Sequence, residues 1–131
     1  MKKDDALDIF GNFIVSNLLD QSISYLRTRL YEKLEEDTKM PKAFKALEDK
    51  IELFSETQKK TIEELFSEVL VQEMVWFLLS LEHERENDNV IKIVVGEENV
   101  AELSHDLTGE IFGMNGWVKR FSEYKDQITV I

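Results

Sequence analysis

The chain has 131 residues, the length of one domain, and no cysteine, so disulfides, thiolate-bound zinc, iron–sulfur clusters and thiol catalysis are excluded together. Sixteen Lys and Arg against 27 Asp and Glu leave a formal net charge of −11, which opposes binding to nucleic acid or to an anionic membrane surface. One proline, five glycines and 43% apolar residues describe a chain able to build a core rather than a disordered or collagen-like one.

Met1-Lys2-Lys3 ahead of the uncharged stretch 9–19 imitates a secretion signal. Asp4, Asp5 and Asp8 interrupt its basic region, and the stretch is far short of the about 20 apolar residues that a membrane span needs. The expectation is a cytoplasmic protein with no membrane partner.

Helical periodicity runs through the first 85 residues. Asp4 or Asp5 is a candidate cap for the first helix, and Leu7, Phe10, Ile14 and Leu18 recur at spacings of three and four to draw one apolar stripe. Leu19, Ile23, Leu26, Leu30 and Leu34 continue the stripe on a shifted face, so a bend or break is expected at Asp20-Gln21-Ser22. The helix is expected to end at Glu35-Glu36-Asp37, where three acids oppose the macrodipole.

Pro41 suits the first turn of a new helix, whose stripe is Phe44, Leu47, Ile51 and Phe54. Ser55-Glu56-Thr57-Gln58 fits a capping box and starts the next helix, which carries Ile62, Leu65, Phe66, Val69, Leu70 and Trp76. From 69 to 81 this helix is apolar nearly all round, interrupted by Gln72, Glu73 and Ser80, which predicts a place at the centre of a bundle.

The pattern changes after the polar run 82–89. Residues 90–95 are β-branched except Lys92 and stop at Gly96, which reads as a strand. Val100, Leu103, Leu107 and Ile111 return to helical spacing, with Asn99 a candidate start and Gly113 a candidate C-cap. Trp117, Phe121 and Tyr124 form a last short stripe, and residues 128–131 are a candidate strand partner for 90–95. The predicted fold is mostly α and a single domain over 1–131: a bundle of three or four helices over 4–86, with a β-α-α-β segment over 90–131 packed on it.

The charge is uneven. Residues 61–110 contain only Arg85 and Lys92 against 13 acids, whereas the flanking segments are close to neutral. The densest group is Glu82, Glu84, Glu86 and Asp88, followed across the expected strand by Glu97 and Glu98. A solvated face that maintains solubility is one reading. The sharper one is a recognition surface for a basic protein, because concentrated like charge costs stability but speeds association with an opposite patch.

Constellations for chemistry are weak by comparison. Glu102-x-x-His105 occurs once, whereas di-metal bundles need the pattern on two helices, and Ser80 stands three residues before His83. Ser104-His105-Asp106 has the residue types of a hydrolase triad, but successive helical side chains fan apart, and the wet side of an amphipathic helix is the plainer reading. Glu73 lies inside the apolar run, so it is a candidate buried carboxylate, either titrating abnormally or paired with Arg27 or Arg29. Gly113-Met114-Asn115-Gly116 matches the G-x-x-G spacing of KH domains, but a tight turn that places Trp117 against the core accounts for it. Phe13 and Phe77 fall off their stripes, which marks an exposed patch or a homodimer face.

These readings point to a non-enzymatic acidic protein that engages a basic protein partner, such as an inhibitor or immunity-type antagonist of a nuclease. The expected partner-binding residues are Glu82, Glu84, Glu86, Asp88, Glu97 and Glu98, with no cofactor and no metal. The alternatives are a small-ligand or metal site in the bundle, using Glu73, Glu102 and His105, and a structural homo-oligomer.

Overall fold

The computed structural model describes residues 1–33 and 41–128. Helix α1, Lys3–Ile14, carries Asp4 and Asp5 inside its first turn. Lys2 occupies the cap position without a side-chain bond, so the two acids favour the start through the macrodipole rather than as caps. The chain does not break near Asp20. A π-helical stretch, Val15–Asp20, joins α1 directly to α2, Gln21–Tyr31, with the junction residues all in right-handed helical conformation.

The wider π turn rotates the apolar face, which explains the shift in the sequence stripe. Ala6, Phe10 and Ile14 are buried before it, and Leu19, Ile23 and Leu30 after it. The helix closes at Tyr31, and Glu32 is already extended, so the end falls before the expected acids; residues 34–37 lie outside the described residues.

Helix α3, Lys42–Ile51, follows Pro41, which takes the cap position one residue before the first turn. Of its stripe only Ile51 is buried; Phe44, Leu47 and Phe54 remain exposed, with the Arg29 guanidinium 5.4 Å from the Phe44 ring centre. Helix α4, Glu56–Glu86, begins with the predicted capping box: Gln58 N–H donates to Ser55 Oγ at 3.1 Å, and Ser55 N–H donates to Gln58 Oε1 at 2.8 Å. Its inner side buries Val71, Met74, Leu78 and Leu81 against the α1–α2 rod and the segments that follow α4. The expectation of a helix surrounded on all sides is corrected, because Leu65, Val69, Trp76 and Leu79 are exposed.

Asp88 and Asn89 take left-handed conformations, φ 64° and 54°, and turn the chain out of α4. The strand expected over 90–95 shrinks to β1, Val94–Val95, and its partner is β2, Glu98–Asn99, in an antiparallel hairpin with Val95 opposite Glu98. Gly96, at φ 62°, supplies the left-handed residue that a two-residue hairpin turn requires. Ile128 is buried outside any strand, and the rest of 128–131 lies outside the described residues.

The helix expected over 100–111 is two 3₁₀ turns, Val100–Glu102 and Thr108–Ile111. Asn99 starts the first as predicted, its Oδ1 accepting from Ala101 N–H at 3.1 Å. Between them, Ser104 Oγ accepts from Asp106 N–H, and Asp106 Oδ1 accepts from Gly109 N–H. These local bonds compete with the helical ladder and interrupt it.

Gly116 N–H donates to the Gly113 carbonyl at 3.1 Å, closing the predicted turn and delivering Trp117 to the core at the start of α5, Trp117–Phe121. Tyr124 lies beyond that helix. The Trp117 ring is fully buried and meets Phe10 edge-on, with centroids 5.8 Å apart and planes at 83°. Gly11 makes this approach feasible, because a side chain there would overlap the indole. The tail is tied down by Asp20, which accepts from Ser122 Oγ at 2.6 Å and from Glu123 N–H at 2.9 Å. The fold is therefore mostly α with a small two-stranded antiparallel sheet, and no helix among the described residues is long and apolar enough to cross a membrane.

Candidate functional site

The six acids of the middle segment gather at the end of α4 and on the hairpin beyond it. Asn99 Nδ2 donates to Asn89 Oδ1 at 2.9 Å and so ties the hairpin to the turn that leaves α4, while Val100 N–H donates to the Ile93 carbonyl at 2.9 Å and closes the hairpin itself. Their local roles differ. Glu82 is half-buried, and its Oε1 accepts from Leu107 N–H at 2.8 Å, which fixes the second 3₁₀ segment to α4. Glu84 Oε2 accepts from Ile91 N–H at 3.4 Å, and the Glu84 carbonyl receives the N–H groups of Asn87 and Asn89, closing the helix end. Glu86, Asp88 and Glu97 point to solvent, and Glu98 is half-buried on β2. None of the six forms an ion pair among the described residues; Arg85, the nearest cation in sequence, donates instead to the Ala101 carbonyl at 2.9 Å.

An apolar groove of about 550 Å³ lies between α1, α4 and β1. Ile9, Phe13 and Leu18 form one wall, Phe77 comes from α4, and Val94 and Val95 close it from the hairpin. Phe10 and Ile14, both buried, join its lining. Asn17 is the one polar residue lining it, and its amide is already bonded to the Phe13 carbonyl at 2.9 Å. Phe13 is 62% exposed and Phe77 43%. The sequence therefore identified one residue on each main wall, because both fall off their helical stripes; Leu18 and Val94 gave no comparable signal, since each fits the pattern of its own segment, and Ile9, one turn before Phe13 on the same off-stripe side, was missed.

Acids border this groove. Glu73 stands one turn before Phe77 on α4 and Glu84 two turns after it, so all three share a side of the helix. Glu98 lies across the ladder from the groove residue Val95. Glu73 is exposed, which corrects the expectation of a buried carboxylate. Its proposed partners are engaged elsewhere: Arg27 pairs with Glu63 at 2.9 Å, and Arg29 donates to the Phe44 carbonyl at 3.1 Å.

The other constellations are separated by the fold. Glu102 ends one 3₁₀ turn, and His105 follows in an exposed loop, so their three-residue spacing does not place them on a helix face. Glu73 is on α4, away from both in sequence. No group of three or more His, Asp or Glu side chains among the described residues is arranged to hold a metal. Ser104 Oγ donates to Glu110 Oε1 at 2.8 Å and Asp106 caps a turn, so neither addresses His105 as a catalytic relay would.

A second, more polar cleft of about 590 Å³ lies between α2, the start of α4 and the 124–128 turn. Arg27 Nη1 bridges Glu63 Oε1 and Gln127 Oε1 there, both at 2.9 Å, and the Tyr31 hydroxyl donates to Glu63 Oε2 at 3.2 Å. Partial burial, and then the Glu63 carboxylate, hold the Tyr31 phenol above its ordinary pKa. No family model matches the chain, and neither a curated protein nor a solved structure does.

Proposed function

We propose that this chain is a non-enzymatic protein-binding module that captures a basic partner, in the manner of an inhibitor or immunity-type antagonist. The observation that supports the reading is the juxtaposition of an open apolar groove with acids that have no ion pair among the described residues. An apolar groove supplies contact area and excludes water from a docked side chain. A bordering negative field steers a basic protein to it and rejects an acidic one. A basic segment with one or two large apolar side chains matches both features.

The test is capture from a native lysate by the tagged protein, washed at about 50 mM and then at about 300 mM salt, between which the Debye length shortens by a factor of about 2.5 and exposed charge pairs weaken. A basic protein is expected to be retained at low salt and weakened at high salt. Lysine at Glu86, Asp88 and Glu97, all exposed, should slow its association by roughly 10-fold or more, whereas Phe13→Ser with Phe77→Ser should weaken binding at either salt concentration. Unchanged association of the triple charge variant would remove the reading. A second reading, a small polar ligand, is favoured only by the Arg27–Glu63–Tyr31 cleft, and thermal stabilisation by that ligand is its signature.

A further inference from the structure

The apolar groove has a direction. Arg27 on α2 reaches Glu63 near the start of α4, whereas Phe13, earlier on the α1–π–α2 rod, shares the groove with Phe77, later on α4. The two therefore run antiparallel, and the start of α1 lies beside the end of α4. Ile9 and Phe13 stand one turn apart on the α1 wall. On α4, Glu73 marks one end of the groove, and Glu84 marks the other, three turns or about 16 Å further along the helix. Asp5, one turn before Ile9, is exposed at the Glu84 end. None of these three acids forms an ion pair among the described residues, and none of the lining residues is a lysine or arginine.

The lining also restricts the backbone of whatever docks, because a buried N–H or C=O needs a partner. Asn17 is the one polar residue along the groove, and its amide already donates to the Phe13 carbonyl at 2.9 Å. An extended segment would need a sheet edge to pair with, but β1 is two residues long, too short to register an added strand. A helix satisfies its backbone internally and offers side chains alone to the walls. Its apolar residues, recurring every three or four positions, mesh with walls whose own side chains recur once per turn. Basic residues three turns apart on that helix reach the acids at both ends.

We infer that the groove receives an amphipathic α-helix of the partner, with Lys or Arg flanking its apolar stripe at both ends. The inference rests on the basic-partner reading and adds the conformation of the docking segment. The probes are two labelled synthetic peptides of about 16 residues, identical in leucine and lysine content. One places leucines at helical spacing between lysines three turns apart; the other alternates leucine with polar residues. Fluorescence anisotropy should show the helical-pattern peptide binding roughly 10-fold tighter or more, with a gain in helical circular dichroism. A central proline should remove that advantage. Phe13→Lys and Phe77→Lys, both at exposed positions, should each weaken binding by roughly 10-fold or more. Glu73→Lys should weaken it more at about 50 mM salt than at about 300 mM. An alternating or proline peptide that binds as tightly as the helical one would overturn the helical occupant and leave capture of a basic protein standing. Helical-peptide binding unchanged by both phenylalanine substitutions would lie outside the groove and overturn the inference. Neither peptide binding at up to about 500 μM would overturn it as well; the basic-partner reading falls with it only where lysate capture is also blank.

Discussion

Leu78 and Leu79 are neighbours on α4, yet Leu78 is fully buried and Leu79 faces outward beside Trp76. The two sides of this helix are similarly apolar in composition and have opposite fates. The inner side meets the α1–π–α2 rod and the two 3₁₀ turns, which together seal Met74 and Leu78. The outer side stays exposed at Leu65, Val69, Trp76 and Leu79 among the described residues. The contrast teaches that hydrophobicity around a helix sets how much surface seeks a partner, whereas the number of neighbours the chain can wrap around it sets how much is satisfied.

The contrast is sharpest in stability. Leu78→Ala removes a side chain from a sealed site and should cost about 2 to 5 kcal/mol. Leu65→Ala on the outer side should cost about 0.5 kcal/mol or less. Urea unfolding of both variants measures the difference, and equal costs would mean that the outer side is covered. A smaller effect is expected from overfilling the sealed side: Gly11→Ala places a methyl group against the Trp117 indole and should cost about 1 to 3 kcal/mol. Loss of near-ultraviolet tryptophan dichroism would report the displaced ring.

The start of α4 depends on local bonds rather than on either side. Ser55→Ala removes the acceptor for Gln58 N–H and should cost about 1 kcal/mol by thermal or urea unfolding. The smallest effect concerns the polar cleft beneath it. Tyr31 has a folded pKa above its unfolded value, from partial burial first and Glu63 second. Its contribution is therefore complete below about pH 10 and is lost as pH rises through the folded value. Stability of Tyr31→Phe followed from about pH 8 to about pH 11 should fall less steeply than that of the parent chain.

Much of the helical layout was legible because it rests on short-range chemistry. The Ser55–Gln58 box, the Asn99 start and the 113–116 turn each place donor and acceptor within a few residues, so sequence spacing is enough to find them. The stripe shift near Asp20 was visible too, but its cause was not: a broken helix and a π stretch give the same displaced periodicity. Of the site, the acids and the outliers Phe13 and Phe77 were legible. Their assembly around one groove was not, because it depends on α1, α4 and β1 meeting across the chain.

The errors have a common origin. The strand expected over 90–95 pairs instead with Glu98–Asn99, because Gly96 allows a nearby hairpin that closes a short loop and leaves only two residues in each strand; residues 129–131, most of its expected partner, lie outside the described residues. The helix expected over 100–111 had the right apolar spacing, and Ser104 and Asp106 redirected its backbone. Sequence by itself determined the mostly helical class, the caps at Ser55 and Asn99, the tight 113–116 turn and the location of the excess negative charge, because these follow from residue chemistry at short range. Only the tertiary structure decided which face of α4 is sealed, which acids are engaged internally and where an apolar groove remains open. Those outcomes depend on how many neighbours converge on each surface, and that is a property of the whole packed chain.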